Sequence, residues 1–374
     1  MKKIIILITV LLGIWACAKT EEPTNTFESF DRKSMLTNLG NSVIIPSFEA
    51  FYQKSDAFVL AVNAYTADIK NEQKLVTAQV AWVEMAKAWK QASVFKQGPI
   101  EDQFLLSTID FSANGAYLNV TLLEKTIANA TTIDNAYIES KGATVKGIHT
   151  LEYLLFDKAK VNATIIATYT GSTGVKRTAY LKALSVNLKN QAKTIVDEWK
   201  NKYVTTFISA DSRDINSSLG VLSNKIIDLI YTVRDERIGV PKGNRNSGTP
   251  QPDLAEAFLS GSSIALAMSE LKGIENAFLG KSPAGVDGIG LDDLLDKLEA
   301  KSGDELLSKK IKNQFAVVYT KLNAIPTTLP IAVVNNKAEV QAAYDEIKRL
   351  QVMMEVDMIN NLGVLLTFSD NDGD

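Results

Sequence analysis

A single histidine, His149, occurs among the 374 residues. It stands three positions before Glu152 in the run Lys146-Gly147-Ile148-His149-Thr150-Leu151-Glu152-Tyr153-Leu154-Leu155, which reads as helix. Residues three apart on a helix share a face, so the imidazole and the carboxylate point the same way. Together they offer a cation one nitrogen and one or two oxygens. The only cysteine is Cys17, close to the N-terminus, so further ligands must be oxygens, water or atoms of the bound molecule. A donor set so rich in oxygen suits iron or another hard cation better than zinc. Gly147 lies two residues before the histidine, where glycine costs a helix interior about 1 kcal/mol relative to alanine. Its presence predicts that a ligand or another backbone comes close there.

Other chemistries fit less well. Zinc hydrolases use three protein ligands, usually rich in histidine, and neither H-E-x-x-H nor H-x-x-E-H is present. Serine catalysis would need His149 to find Ser260 or Ser263, more than a hundred residues away. The bland alternative is a structural histidine, hydrogen-bonded on its helix. The glycine-rich run 285–290 follows no strand and reads as a loop before a helix, not as a phosphate cradle. The acidic tail 369–374 lacks the closing glutamate of a calcium loop, and the pair Met353-Met354 reads as core filler.

The N-terminus is built differently. Lys2 and Lys3 precede an apolar run from Ile4 to Trp15, then Ala16 and Cys17. A basic start and a short apolar stretch predict a signal peptide over 1–16 and not a membrane span. Ile14-Trp15-Ala16-Cys17 resembles a bacterial lipobox, with Trp15 unusual at its position. That resemblance implies cleavage before Cys17 and its acylation, with 17–26 as a polar tether. Several acyl chains hold a protein to a bilayer where one holds only marginally. The expected location is the bacterial cell envelope, lipid-anchored to the outer membrane and facing the periplasm or the outside. A net charge of −3, with no basic block, argues against a nucleic-acid partner.

Most of the remaining chain carries apolar residues at helical spacing. The segments 47–68, 75–95, 180–199 and 215–233 do so. The clearest stripe is Leu181, Leu184, Leu188, Ile195 and Trp199. Strand-like alternation is scarce, so the expected fold is all-α and built of helix bundles. The stretch 239–252 holds three prolines and three glycines, which marks a break. We therefore expect a bundle over 27–240, a linker over 241–252 and a second bundle over 253–374. Further helices are expected over 253–278, 291–298, 305–322 and 337–361. Lys146-Gly147-Ile148-His149 is echoed by Lys272-Gly273-Ile274-Glu275, which predicts two bundles related by an internal repeat.

The motif Gly147-x-His149-x-x-Glu152, continued by Tyr153-Leu154-Leu155-Phe156, resembles the signature of the imelysin-like family. The resemblance extends to Ala81-Trp82 through Gly98-Pro99-Ile100, to Arg234, Arg237-Ile238 and Pro241, and to Phe258-Leu259-Ser260-Gly261-Ser262-Ser263. It continues through Lys272-Gly273-Ile274, Asn276 and Gly280. It adds Trp89, Ser93, Arg234, Arg237, Ser260, Ser263 and Asn276 as site candidates beside Gly147, His149 and Glu152, with one of the two arginines facing the site. The chain departs from the family where a glutamate usually precedes Phe95, and at Leu266 and Glu270, where aspartate and asparagine are common. The missing glutamate leaves Glu84, Glu101 and Asp102 as candidate replacements. The family is bacterial, exported, helical in two bundle-like domains and linked to iron uptake; its older label is peptidase. The resemblance thus implies a lipoprotein that binds a metal ion, iron first, or an iron chelate, in a cleft between the bundles, with an envelope transport partner. The alternatives are a metallopeptidase, and a module that binds peptide, protein or haem without a metal ion of its own.

Overall fold

The computed structural model describes residues 27, 29–113, 115–212 and 214–367. The expected signal peptide, Cys17 and its tether, and the tail 369–374, lie outside these. Among the described residues the expected all-α architecture is what the chain adopts. The helix α1, Ile45–Thr66, has Pro46 in its first turn and buries Phe48, Phe51, Phe58, Val62 and Tyr65. The helix α2, Glu72–Ala92, starts at Asn71, whose side chain accepts from the Lys74 amide at 3.1 Å. After it come the short α3, Leu105–Ile109, then α4, Gly147–Leu155, and α5, Gly174–Glu198. The helix α6, Ser218–Tyr231, is capped by Ser217 and runs on into a wide-turned stretch, Thr232–Gly239. The last third holds α7, Ser263–Leu279, α8, Leu307–Asn323, and α9, Lys337–Val352. The extended structure is a two-residue pairing, Lys301–Ser302 with Glu305–Leu306, and one bridge between Ala113 and Ala116.

The helix α2 is the pivot of the packing. It lies against α1 on one side and α7 on another, α1 also packs on α5, and α8 pairs with α9. Trp82 and Trp89 of α2 are fully buried, and the Trp89 ring lies 5.1 Å from that of Phe51. The core is continuous from Phe27 to Val364, so the late part of the chain closes directly over α2. Within 239–252, Val240–Lys242 forms one helical turn, Gly243 turns the chain at φ +100°, and the Gln251 amide returns to Pro241 O at 2.8 Å. No helix among the described residues is long and apolar enough to cross a membrane.

Two readings from the sequence need correction. Gly147 is not inside a helix: it is the first residue of α4, at φ +75°. The close approach it was expected to permit is that of a backbone, since a Cβ there would meet Ile109 O at 2.4 Å. The echoed Gly273 sits in the middle of α7, so the two four-residue runs stand at different places in their helices and do not by themselves support an internal repeat.

Candidate functional site

The two glycines set the site's frame. Gly147 brings α4 against the end of α3, whose next residue is Asp110. Gly273 lets α7 press on α2, where a Cβ would stand 2.1 Å from Gln91 O, next to Lys90. These two approaches draw titratable side chains from distant parts of the chain into one buried cluster.

Lys90, fully buried near the end of α2, is its centre. Its Nζ lies 2.7 Å from Asp110 Oδ2, 2.5 Å from Glu256 Oε1 and 3.2 Å from Glu270 Oε1. Arg237 approaches Glu256 Oε2 at 3.2 Å and Glu270 Oε1 at 3.0 Å. Asp110 also accepts from Trp89 Nε1 at 2.8 Å, and its Oδ1 is 2.8 Å from His149 Nε2. Glu256 Oε1 is 3.7 Å from the same His149 nitrogen, and the Tyr117 ring packs 4.7 Å from the imidazole. An ionised Asp110 can only accept, so a neutral His149 carries its proton on Nε2.

The electrostatics follow from this packing. Burial pushes the Asp110 carboxyl up, but Lys90, the His149 hydrogen bond and Arg237 outweigh it and hold it well below the usual range. The same balance leaves Glu270 lowered: burial opposes its charge, and Arg237 and Lys90 more than compensate. Burial and Arg237 pull the Lys90 ammonium down, yet Asp110, Glu256 and Glu270 leave it raised. The cluster sets two cations, Lys90 and Arg237, against the three carboxyl groups of Asp110, Glu256 and Glu270, with the His149 imidazole beside them. A buried charge without a counter-ion is costly.

Several buried polar atoms here make no hydrogen bond. They are His149 Nδ1, Tyr117 Oη, Arg237 Nη1 and Glu256 Oε2; of these the tyrosine hydroxyl and the glutamate oxygen lie close to the Arg237 guanidinium but misaligned with it. Orphans of this kind mark a place that water or a ligand completes. Asp110, His149 and Glu256 each offer one donor atom, all within 4.8 Å of one another. Solvent reaches the cluster through a cleft of about 750 Å³, walled by Lys96, Phe104, Phe111 and Glu236 and floored by Asp110, Arg237 and Glu270.

The residues expected from the sequence are distributed unevenly around this cluster. Trp89 and Arg237 belong to it. Ser93 lines the cleft and donates its hydroxyl to Lys90 O at 2.8 Å. Ser263 donates to Glu256 O. Glu152 is buried, and its Oε1 accepts the Ser260 amide at 2.6 Å; burial raises its pKa, only partly offset by that bond. Arg234 turns away to Asp235 and Gln351. Asn276 is buried with no partner for its amide and makes no bond to the cluster. Glu84 pairs with Lys87 and Lys54, and Glu101 with Lys225, while Asp102 is exposed; none of the three stands beside His149. Lys90, Asp110 and Glu256 were not found from the sequence. They sit at no diagnostic spacing, and only tertiary contact gathers them.

A buried carboxylate–histidine–lysine cluster, gathered from helices and loops between residues 90 and 270, defines an α-helical protein with a central polar site. The chain belongs to the imelysin family: the family model, Peptidase M75 (Imelysin), matches residues 44–354. No curated protein matches it. Among solved structures it is similar to an imelysin-like protein from Psychrobacter arcticum, with a TM-score of 0.71 at 18% identity over 90% of this chain and 97% of that one. It is also similar to a Parabacteroides distasonis protein assigned as an iron-regulated protein A precursor, with a TM-score of 0.69 at 17% identity over 88% and 95%. At these identities the likeness is one of fold.

Proposed function

We propose that this protein takes up a hard metal cation, iron first, at Asp110, His149 and Glu256. We further propose that it works in the cell envelope, held by an acylated Cys17. The observation that carries the reading is the convergence of three buried donor groups within 4.8 Å in a cluster rich in carboxylates and holding unpartnered polar atoms. One imidazole and two carboxylates form an oxygen-rich set, which suits iron or manganese better than a thiolate or polyhistidine metal. The family's association with iron, and a fold neighbour assigned as iron-regulated, agree with iron as cargo.

Two costs come with this arrangement. His149 must release the Nε2 proton to coordinate through that nitrogen, so uptake should release a proton and weaken on acidification. Lys90 already holds Asp110 and Glu256, so an incoming cation competes with a resident ammonium. The peptidase reading gains nothing from the geometry, because His149 is the chain's only imidazole. The test is metal content of the purified mature protein, expressed with iron and compared with His149→Ala. The proposal expects near-stoichiometric metal in the wild type and little in the variant. Equal, trace amounts in both folded proteins would leave His149 a structural histidine.

A further inference from the structure

The histidine and the glutamate of the signature share one helical turn, yet the donor cluster contains only the histidine. Glu152 faces another task. Its Oε1 accepts the amide of Ser260, 108 residues further on, at 2.6 Å. Ser260 belongs to the loop 255–262, and that loop carries Glu256. The loop is not self-supporting. Ala257 stands at φ +50° and Gly261 at φ +73°, and a non-glycine residue keeps such a backbone only where its surroundings hold it. Within the loop, Ser260 Oγ donates to Ala257 O at 3.2 Å and accepts the Ser262 amide at 3.3 Å. The Gly261 and Ser262 amides close on Ala257 O at 2.9 and 3.2 Å, and Ser263 Oγ bonds Glu256 O. Beside the Lys90 bond to the Glu256 side chain, two bonds tie the loop's backbone back to the first half of the chain: Glu152 to the Ser260 amide, and Lys160 Nζ to Leu259 O at 2.6 Å.

We infer that Glu152 is a positioning residue: it straps the Glu256 loop to the helix that carries His149, and so sets the spacing between the two donors. The strap works through geometry. One turn of α4 presents His149 and grips the segment that presents its partner, so the two cannot drift apart without breaking a buried, charge-assisted hydrogen bond. The i, i+3 spacing of the motif then has a mechanical meaning, since both side chains must leave the same face. Lys160 acts as the second strap.

The inference rests on the cation-binding reading for its effect on affinity, but not for the strap itself, so the test has two arms. In the first, hydrogen exchange at the Ser260, Gly261 and Ser262 amides is followed without metal in wild type, Glu152→Gln and Glu152→Ala. The glutamine keeps an oxygen that accepts the Ser260 amide; the alanine does not. Exchange should stay near wild type in Glu152→Gln and quicken at least about tenfold in Glu152→Ala. In the second arm, ferrous and manganous ions are titrated into the same proteins and into Lys160→Met. A strap predicts near-wild-type affinity for Glu152→Gln, a loss of about tenfold or more for Glu152→Ala, and a smaller loss for Lys160→Met. Glu152→Ala should also add nothing on a Glu256→Ala background. A direct ligand predicts instead that Glu152→Gln fails as badly as Glu152→Ala while its loop amides stay protected, with Lys160→Met unaffected; that result overturns the inference. If Glu152→Ala does not fold, Glu152→Gln and Lys160→Met still decide between the two. If no protein binds a cation, the function proposed above falls, and the exchange arm alone decides the strap: unchanged loop protection in Glu152→Ala refutes it.

Discussion

Lys90 is the residue on which the cluster's balance turns. It faces three carboxylates, and Arg237 can neutralise only part of what Lys90 would leave behind. Lys90→Met should therefore destabilise the protein by about 3–5 kcal/mol in denaturant unfolding, the usual cost of stranding buried charge. If the cluster takes a cation, saturating metal should restore about 2–3 kcal/mol of that loss through binding linkage at a hundredfold excess over Kd. No rescue would separate the cluster's charge from metal affinity. The acid limb follows from Asp110 and Glu270. Their folded pKa values lie below the unfolded ones, so their contribution is fully present above the unfolded values and is lost as pH falls toward the folded ones. The melting temperature should then drop steeply below about pH 4. Glu152 has the opposite sign. Its raised pKa means its contribution is full below the unfolded value and is lost as pH rises through the folded one. Glu152→Gln should thus melt no lower than wild type at pH 7 to 8, and a clear drop in thermal scans would contradict this.

At the scale of elements, what was legible depends on how local the information is. The stripe Leu181, Leu184, Leu188 and Ile195 repeats within a few turns, so the helix was readable, and it appears as Gly174–Glu198. The segment 75–95 became Glu72–Ala92 because Asn71 caps it earlier. Gly147 was misread because apolar spacing runs straight through it; a positive φ leaves no periodic trace. Asp110 and Glu256 were invisible for a related reason. They are loop residues, and they meet Lys90 across 20 and 166 positions. The signature pointed to the right helix but not to its partners. The two glycines give a direct test at this scale. Gly273 is helical, so Gly273→Ala adds no backbone strain and its whole effect is the collision with Gln91 O. It should cost about 1–3 kcal/mol by overpacking, and should weaken cation binding by moving Lys90. Gly147→Ala adds a positive-φ penalty to its clash with Ile109 O and should cost at least as much. Gly142→Ala meets nothing within 4 Å and should leave the melting temperature within a degree or two of wild type.

For the whole molecule, the site is a junction. Lys90, Asp110 and His149 come from the first half, Glu256 and Glu270 from the last third, and Arg237 from the stretch between them. Nothing in the charge pattern of either part foretold this, whereas the all-helical class was plain from the scarcity of alternation. A junction site predicts that ligand and fold stability are coupled across the chain. Cation binding should slow proteolysis at the exposed turn 244–249 as well as at the loop 255–262, and protection confined to one part would argue for a site elsewhere. The central claim is that Asp110, His149 and Glu256 hold a hard cation. Titration calorimetry of the mature protein under matched chelator buffering tests it most directly, with ferrous, manganous and zinc ions compared in wild type and Asp110→Asn. The account predicts one cation per chain, a proton released on binding, iron held more tightly than zinc, and loss of most of the affinity in a folded Asp110→Asn. A folded wild type that binds none of these ions, or an Asp110→Asn that binds them unchanged, would contradict it.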